Sequence, residues 1–210
     1  MKVTVIGAGN MGSAFVKQLT RAGHQVSVTA RDSAKAAKVA ADHPGAKAVA
    51  PAQAAQGADV VVLATGYADA VAALRSVGDL QGKVVIDITN PLTADYMGLT
   101  IGHSTSAAEE IAKAVPGAQV VKAFNTVFAQ VLAEGADFGN GRKASVFVAG
   151  DSEGARKTVA ALAQSLGFDV VDAGGLKNAR YLEPLAGLNI YLGYGAGQGT
   201  GIAPTWIRKN

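Results

Sequence analysis

Short apolar runs rich in valine and isoleucine alternate with longer amphipathic segments along almost the whole chain. The apolar runs predict buried strands at 3–6, 25–29, 47–49, 59–64, 82–87, 120–124, 145–149 and 169–172. The segments between them predict helices at 11–19, 33–42, 69–77, 106–114, 153–166 and 179–193, with a brief helical crossover at 51–57. This alternation is typical of an α/β protein. We therefore predict a Rossmann-type, doubly wound, mostly parallel sheet with helices on both faces.

The first predicted strand runs directly into glycines at positions 7, 9 and 12, which form the pattern Gly-x-Gly-x-x-Gly before the first helix. Gly7 permits a tight strand-to-helix turn, Gly9 lets a pyrophosphate approach the backbone, and Gly12 lets the helix pack closely on the strand. The helix start also offers free N–H groups and the positive end of the helix dipole. The pattern predicts a dinucleotide-binding turn.

The end of the second predicted strand indicates which dinucleotide binds. In NAD-binding units an acidic side chain here hydrogen-bonds the ribose 2′-hydroxyl, but in this chain the position holds Ala30 and is followed by Arg31. A small residue removes a carboxylate that would repel a 2′-phosphate, and a guanidinium can bind that phosphate through two hydrogen bonds. Lys35 adds a second positive charge. We predict NADP(H). In the alternative interpretation, Asp32 binds the ribose and Arg31 is a solvated surface residue.

Composition narrows the possible functions. The 210 residues, 49% of them hydrophobic, can bury one large core, and no linker divides them, so we predict a single domain over 1–210. The absence of cysteine excludes disulfides, thiolate metal sites and cysteine nucleophiles, and no metal site is expected. The net charge of +3, without a basic cluster, argues against nucleic-acid binding. With no apolar stretch of membrane-spanning length and no secretory signal, we expect a cytoplasmic protein that binds no membrane.

Ligands of such sheets bind at the carboxyl ends of the strands, where the strand order reverses. We expect one cleft there to be lined by the loops 7–11, 65–67, 89–91 and 125–126. Asn90 and Asn125 bring carboxamides that can donate to and accept from a nicotinamide amide or a flavin ring edge. Alternatively, both residues only turn or cap the chain, because Asn-Pro and Asn-Thr are ordinary turn dipeptides.

Taken together, these residues resemble the NADPH-dependent reductases of the deazaflavin coenzyme F420, and more narrowly the small bacterial dinucleotide-binding relatives of that family. The resemblance is carried by residues 7–12, 30–31 with 35, 87–92, 106–109, 122–126, and 172–174 with 176 and 179–180. It implies that Asn10 and Met11 cover the pyrophosphate and that Arg31 binds the 2′-phosphate. It also implies that Tyr67 flanks the cofactor and that the backbone of residues 125–126 holds the nicotinamide carboxamide.

The strand-end loops contain few groups that could handle a proton. Reduction of a carbonyl or imine needs a positioned acid beside the hydride donor, and Tyr67 is the one plausible donor in these loops. Hydride transfer between two stacked heterocycles needs no such group, because a flavin-type cofactor carries its own chemistry. We therefore predict an NADPH-dependent oxidoreductase whose small-molecule electron acceptor is coenzyme F420, a flavin or a similar planar molecule. The alternatives are an NADPH-dependent reductase of a small carbonyl or imine, with Tyr67 or His103 as donor, and a non-catalytic NADP(H) sensor.

The predicted site collects these residues. The catalytic candidates are Tyr67 and Asn90. The predicted cofactor-binding residues are Gly7, Gly9, Asn10, Met11, Gly12, Ala30, Arg31, Lys35, Ala64, Thr65, Tyr67, Asn90, Pro91, Asn125 and Thr126.

Two other signals are interpreted as structural. Ser106 and Glu109 have the spacing of a capping box, in which a hydroxyl and a carboxylate satisfy free N–H groups at a helix start. The histidines, His24, His43 and His103, are each expected to be structural or to face solvent.

The last segment, 176–210, combines an apolar helix with glycines at alternate positions from 193 to 201. No strand precedes these glycines, so they predict a pliable tail, anchored by Trp206, rather than a second phosphate loop. The helix carries more apolar side chains than one sheet face buries, namely Leu185, Leu188, Ile190 and Leu192. We expect this segment to cover the acceptor site or to form a homodimer contact.

Overall fold

The computed structural model describes residues 1–207 and 209, whose strands form an eight-stranded sheet. The strands are β1 (Lys2–Ile6), β2 (Gln25–Thr29), β3 (Ala46–Ala48), β4 (Val60–Leu63), β5 (Val84–Asp87), β6 (Gln119–Lys122), β7 (Ser145–Gly150) and β8 (Asp169–Gly174). The helices are α1 (Asn10–Arg21), α2 (Ser33–Asp42), α3 (Tyr67–Ser76), α4 (Ala107–Ala114), α5 (Ala129–Glu134), α6 (Glu153–Ser165) and α7 (Ala179–Ile190).

The strand order across the sheet is β3-β2-β1-β4-β5-β6-β7-β8. All neighbouring strands run parallel except β6 and β7. The chain builds outward from β1 to β3 and then returns to place β4 on the other side of β1. The carboxyl ends of β1 and β4 therefore border a topological switch point, where sheets of this kind form their ligand crevice. The predicted doubly wound, mostly parallel Rossmann-type sheet is confirmed.

Two apolar clusters hold helices on opposite faces of the sheet. On one face α1, α2, α5 and α6 pack around Phe15, Phe124 and Phe168, whose rings meet edge to face at centroid distances of 5.0 and 5.7 Å. On the other face α3 and α4 bury Leu74 and Ile111. Because β4, β5 and β7 are buried on both faces, they appear in the sequence as predominantly apolar runs, with polar side chains only at Asp87, which ends β5, and Ser145, which begins β7.

The structure corrects several predicted boundaries. The sixth strand ends at Lys122 rather than at residue 124, because Phe124 adopts a φ of 58°, which no strand accommodates. The crossover predicted over 51–57 contains only a 3₁₀ turn at Pro51–Gln53. The third strand lies one residue earlier than predicted. The short α5 was missed, because six residues are too few to show helical periodicity.

The final helix and tail also differ from the expectation. The α-helical geometry of α7 ends at Ile190, and the chain continues as a π-helical turn over Tyr191–Gly195. The tail then returns to the start of β7, where the Trp206 N–H donates to the Ser145 hydroxyl at 3.1 Å. The Trp206 ring packs edge-on against Phe147 at a centroid distance of 6.0 Å. The structure therefore places the Trp206 contact within this chain.

Candidate dinucleotide and acceptor site

The turn after β1 has the geometry that the glycine pattern predicts. Gly7 takes a left-handed φ of 117°, and its N–H donates to the Thr29 carbonyl at 2.8 Å. A Cβ at Gly7 would collide with the Ala64 carbonyl oxygen, and a Cβ at Gly12 would collide with the Gly7 carbonyl oxygen. A Cβ at Gly9 would have no neighbour within 4 Å. No side chain caps the start of α1, so its first N–H groups are available to bind a diphosphate.

Alanine substitutions at Gly9 and Gly12 should separate folding from binding. At Gly12 the new methyl group overlaps backbone, so we expect the free energy of unfolding to fall by about 1–3 kcal/mol. At Gly9 the methyl group meets no protein atom, so stability should stay near that of the parent. The same methyl group fills the space for the pyrophosphate, and we expect the NADPH Kd to rise at least about tenfold, or roughly 1.4 kcal/mol. Thermal denaturation and fluorescence titration with NADPH measure both effects. Unchanged NADPH binding by Gly9→Ala would contradict this assignment.

One cavity, of about 430 Å³, lies beside this turn at the ends of β1 and β2, and we call it the β2-side cavity. Its lining residues are Ile6, Gly7, Thr29, Ala30, Arg31, Pro51, Thr65, Asp69, Ala72, Ala73 and Ser76. In sheets of this type, the second strand carries the residues that contact the ribose of a bound dinucleotide. The predicted phosphate corner at residues 30–31 is thus part of a formed cavity.

Arg31 lies at the edge of the β2-side cavity with 92% of its side chain exposed, and its Nη1 is 3.8 Å from Oδ1 of Asp69 in α3. Asp32, the alternative ribose ligand, caps α2. Its Oδ1 accepts the N–H groups of Ala34 at 3.0 Å and of Lys35 at 3.3 Å. Because this carboxylate is directed at the helix start, the geometry favours Arg31 as the residue that contacts the adenosine ribose.

A second cavity, of about 270 Å³, lies at the ends of β5 and β6, and we call it the β6-side cavity. Its lining residues are Asn10, Met11, Ile88, Asn90, Tyr96, Phe124, Asn125, Thr126, Val127, Phe128, Ala129, Ala186, Asn189, Ile190 and Tyr194. Among these residues none carries a carboxylate, amine, guanidinium or imidazole group. Two phenols, of Tyr96 and Tyr194, are the titratable groups in the lining.

Asn90 and Asn125 meet at the β6-side cavity. The Asn90 Nδ2 donates to the Asn125 backbone carbonyl at 2.9 Å, and the Asn125 Nδ2 donates to the Asn90 Oδ1 at 3.0 Å. The same Asn125 Nδ2 donates to the Leu182 carbonyl of α7 at 2.9 Å. From α7, the Asn189 Nδ2 donates to the Thr126 carbonyl at 3.0 Å. Both strand-end carboxamides line the cavity and also turn the chain, so features of both interpretations are present.

The structure divides the predicted cofactor residues into three groups. Beside the β2-side cavity lie Gly7, Ala30, Arg31 and Thr65. Beside the β6-side cavity lie Asn10, Met11, Asn90, Asn125 and Thr126. Outside both linings lie Gly9, Gly12, Lys35, Ala64, Tyr67 and Pro91.

Tyr67, the predicted proton donor, begins α3 and packs against the apolar cluster on the α3–α4 face. Its pKa is raised above the ordinary tyrosine value, mainly by partial burial and further by the carboxylates of Glu110, Glu183 and Asp87. A phenol with a raised pKa holds its proton more firmly and is a weaker acid. A catalytic role for Tyr67 stays a prediction.

Three buried ionisable side chains lie behind the β6-side cavity, and the sequence interpretation missed them. The Lys122 Nζ is 2.8 Å from the Asp87 Oδ2 and 3.0 Å from the Glu183 Oε1. The side chains of Lys122 and Asp87 are 0% exposed and that of Glu183 is 1% exposed. We call these residues the buried charge cluster. The sequence contained one sign of this cluster, because each charge lies inside or at the end of an apolar run. Burying such a charge is costly unless an opposite charge pairs with it.

The histidines lie away from the β6-side cavity. His24 contacts the Ser165 hydroxyl at 2.8 Å, and partial burial together with the N-terminal ammonium lowers its pKa. His43 contacts the Ser13 hydroxyl at 3.3 Å. His103 borders a separate surface groove with residues of the α7 region.

Ser106 and Glu109, the predicted capping-box residues, have a structural role at the start of α4. The Ser106 hydroxyl accepts the Glu109 N–H at 3.2 Å, which confirms the hydroxyl half of the capping box. The Glu109 carboxylate instead accepts from the Ser106 hydroxyl at 2.7 Å and from Arg180. Across residues 1–207 and 209, no cluster of histidine and acidic side chains has the composition of a metal site. In the same residues, no helix has the length and hydropathy needed to cross a bilayer.

Comparison with known proteins identifies the family. The family described as "NADP oxidoreductase coenzyme F420-dependent" matches residues 2–91. The F420-dependent NADP reductase of Methanothermobacter marburgensis is 31% identical in an alignment that covers 91% of this chain and 92% of that protein. The chain belongs to this family. As a member, it is an NADP-dependent oxidoreductase, and the resemblance seen in the sequence is confirmed.

Two further relatives show how far the similarity extends. A crystal structure from Arthrobacter sp. FB24, described as a candidate F420-dependent NADP reductase, superposes with a TM-score of 0.88 at 33% identity. The alignment covers 99% of this chain and 100% of that chain. Metalloreductase STEAP3 of Rattus norvegicus is 30% identical over 185 residues, but the chain spans only 36% of the length of that relative.

Proposed function

We propose that this protein transfers hydride between NADPH and a planar deazaflavin or flavin-type acceptor, and that coenzyme F420 is the acceptor. The observation that carries the proposal is the lining of the β6-side cavity, which offers amides, aliphatic groups and aromatic rings but no strong acid or base. Two stacked heterocycles can exchange hydride when the protein only aligns them. The name of the Methanothermobacter marburgensis relative favours F420 over other planar acceptors.

Different residues would bind different parts of NADPH. The free N–H groups at the start of α1 bind the diphosphate, and Arg31 binds the 2′-phosphate. The backbone of residues 125–126, held by Asn90 and Asn189, places the nicotinamide carboxamide. In the reaction NADPH loses a hydride and becomes NADP⁺, while the acceptor gains the hydride and takes one proton from solvent.

A stopped-flow screen that follows NADPH absorbance tests the proposal. The acceptors to compare are F420, FMN, FAD, ferric chelates and small imines. We expect rapid oxidation of NADPH by F420 and slower oxidation by the flavins. Oxidation by imines alone would overturn the proposal in favour of an imine reductase. Tight NADPH binding without oxidation by any acceptor would support a nucleotide sensor.

Replacing Tyr67 by phenylalanine tests whether this phenol donates a proton during the reduction. Tyr67 packs beside α4 rather than in the lining of either cavity, so we expect only small changes in kcat and in the NADPH Kd. Steady-state kinetics with F420 and a fluorescence titration with NADPH measure these values. A fall in kcat of about 10²–10⁴-fold, typical for the loss of a general acid, would show that the phenol donates a proton.

We also propose that the protein forms a homodimer through the outer face of α7 and the turn that follows. This face exposes Tyr181 by 74%, Leu188 by 55% and Tyr191 by 52%. Exposed apolar side chains in one area are typical of contact surfaces. Light scattering of the purified protein tests the proposal, and a monomer mass at all concentrations would overturn it. The predicted cytoplasmic location and the single-domain organisation over 1–210 stay predictions.

A further inference from the structure

The buried charge cluster connects three elements that surround the β6-side cavity. Asp87 ends β5, Lys122 ends β6 and Glu183 lies in α7. Two carboxylates and one ammonium give the cluster a formal charge of −1. The start of α4 offsets this negative charge, because the N–H groups of Ala107 and Ala108 donate to the Glu183 carboxylate at 2.9 and 3.1 Å. These N–H groups lie at the positive end of the helix dipole.

One side of the cluster holds the turn that carries Asn90. The Lys122 Nζ donates to the Thr89 carbonyl at 2.6 Å. The Thr89 N–H in turn donates to the Asp87 Oδ1 at 2.8 Å. Both backbone polar groups of Thr89 are therefore tied to the cluster, and the next residue lines the β6-side cavity.

The other side of the cluster holds α7. Glu183 lies three residues before Ala186 and six residues before Asn189, and both of these line the β6-side cavity. Its carboxylate joins α7 to the start of α4 and, through Lys122, to the end of β6. A shift of this carboxylate would move one wall of the cavity relative to the Asn90 turn.

We propose that Lys122 and Glu183 are positioning residues that set the separation between α7 and the Asn90 turn, and thereby align the acceptor with the nicotinamide. The inference rests on the proposed function of the β6-side cavity. If the cluster had a purely structural role, it would stabilise the fold without affecting the alignment of the acceptor.

The chain contains a matched control contact between the same two helices. Arg180 of α7 donates to the Glu109 carboxylate of α4 at 2.9 and 2.7 Å. These hydrogen bonds lower the pKa of Glu109, so both side chains stay charged at neutral pH. Neither residue lines the β6-side cavity. Loosening this ion pair perturbs the α4–α7 contact without touching the cluster.

The test compares Glu183→Gln with Glu109→Gln in the full-length protein. In Glu183→Gln a donor NH₂ group replaces one acceptor oxygen and faces either an N–H group or the Lys122 ammonium. We expect kcat/KM for F420 to fall about 10- to 100-fold, because small misalignments of reacting rings are costly. The NADPH Kd should stay near the parent value, and Glu109→Gln should leave both values near those of the parent. Equal kcat/KM values for F420 in Glu183→Gln and the parent would overturn the proposal.

Hydrogen exchange provides a readout that does not depend on turnover. In the NADP⁺ complex of Glu183→Gln, the backbone amides of Thr89 and Asn90 and those of residues 183 and 185–190 should exchange faster than in the parent, whereas Glu109→Gln should leave the amides of Thr89 and Asn90 unchanged. If both variants match the parent at the amides of Thr89 and Asn90, the proposal is wrong. If the parent fails to reduce F420 while the exchange pattern appears as expected, the proposed function fails and the positioning role stands. Should Glu183→Gln not fold, Asp87→Asn takes its place, since an asparagine oxygen can still accept the Thr89 N–H.

Discussion

Replacing Lys122 by methionine should lower the free energy of unfolding by about 3–5 kcal/mol, because removal of one partner leaves buried charge uncompensated. The change would leave the carboxylates of Asp87 and Glu183 facing each other without the ammonium that separates them. The expected fall in melting temperature is about 6–20 °C for a protein of this size. Urea denaturation and calorimetry measure the effect.

Two comparisons show whether charge is the cause. Lys38 is exposed and pairs with Asp42 at 2.8 Å on the surface of α2, so Lys38→Met should leave the unfolding midpoint nearly unchanged. The triple variant Lys122→Met, Asp87→Asn, Glu183→Gln carries no formal charge at the cluster and should recover much of the lost stability. If the triple variant is no more stable than Lys122→Met, uncompensated buried charge does not explain the loss.

Replacing Arg31 by alanine should raise the NADPH Kd by about tenfold to a few hundredfold, since a charge-assisted hydrogen bond contributes about 1.5–3 kcal/mol. The high exposure of Arg31 places the effect toward the lower end of this range. NADH lacks the 2′-phosphate, so its Kd should change little. Removal of the guanidinium also leaves Asp69 unopposed near the phosphate, which adds repulsion. Parallel calorimetric titrations with NADPH and NADH measure the difference.

Asp32→Ala is the control for the other interpretation of this corner. Loss of the α2 cap should reduce stability by about 1 kcal/mol without changing the ratio of NADPH to NADH affinity. Equal losses of NADPH and NADH binding in Arg31→Ala would contradict the NADP assignment. A large loss of NADH binding in Asp32→Ala would identify that carboxylate as the ribose ligand.

The elements that could be predicted are those that produce a strong local pattern of apolar residues. Strands β4, β5 and β7 are buried on both faces and appear as predominantly apolar runs, while α2 was predicted with its observed bounds. The six-residue α5 was missed because so short a helix has no measurable periodicity. The left-handed backbone of Phe124, which ends the sixth strand early, has no signature in a β-forming residue type.

The candidate site was partly predictable for the same reason. Much of the glycine turn is a local requirement, since Gly7 takes a left-handed φ of 117° and a Cβ at Gly12 would overlap the Gly7 carbonyl oxygen. The role of Asp32 as a helix cap depends on the fine geometry of α2, which residue spacing alone left open. Tyr67 follows a strand end as expected, but it packs against the apolar cluster on the α3–α4 face, and that contact depends on the strands and helices that form the cluster.

By itself the sequence determined the parallel α/β architecture, the dinucleotide turn and the family, because each of these depends on local patterns of apolar residues and glycines. Only the tertiary structure decided which side chains meet behind the β6-side cavity. Asp87, Lys122 and Glu183 are 35 and 61 residues apart in sequence. They form an ion cluster only because β5, β6 and α7 converge and exclude water from it. Burial turns otherwise ordinary charges into strongly coupled ones, and burial is a property of the whole fold.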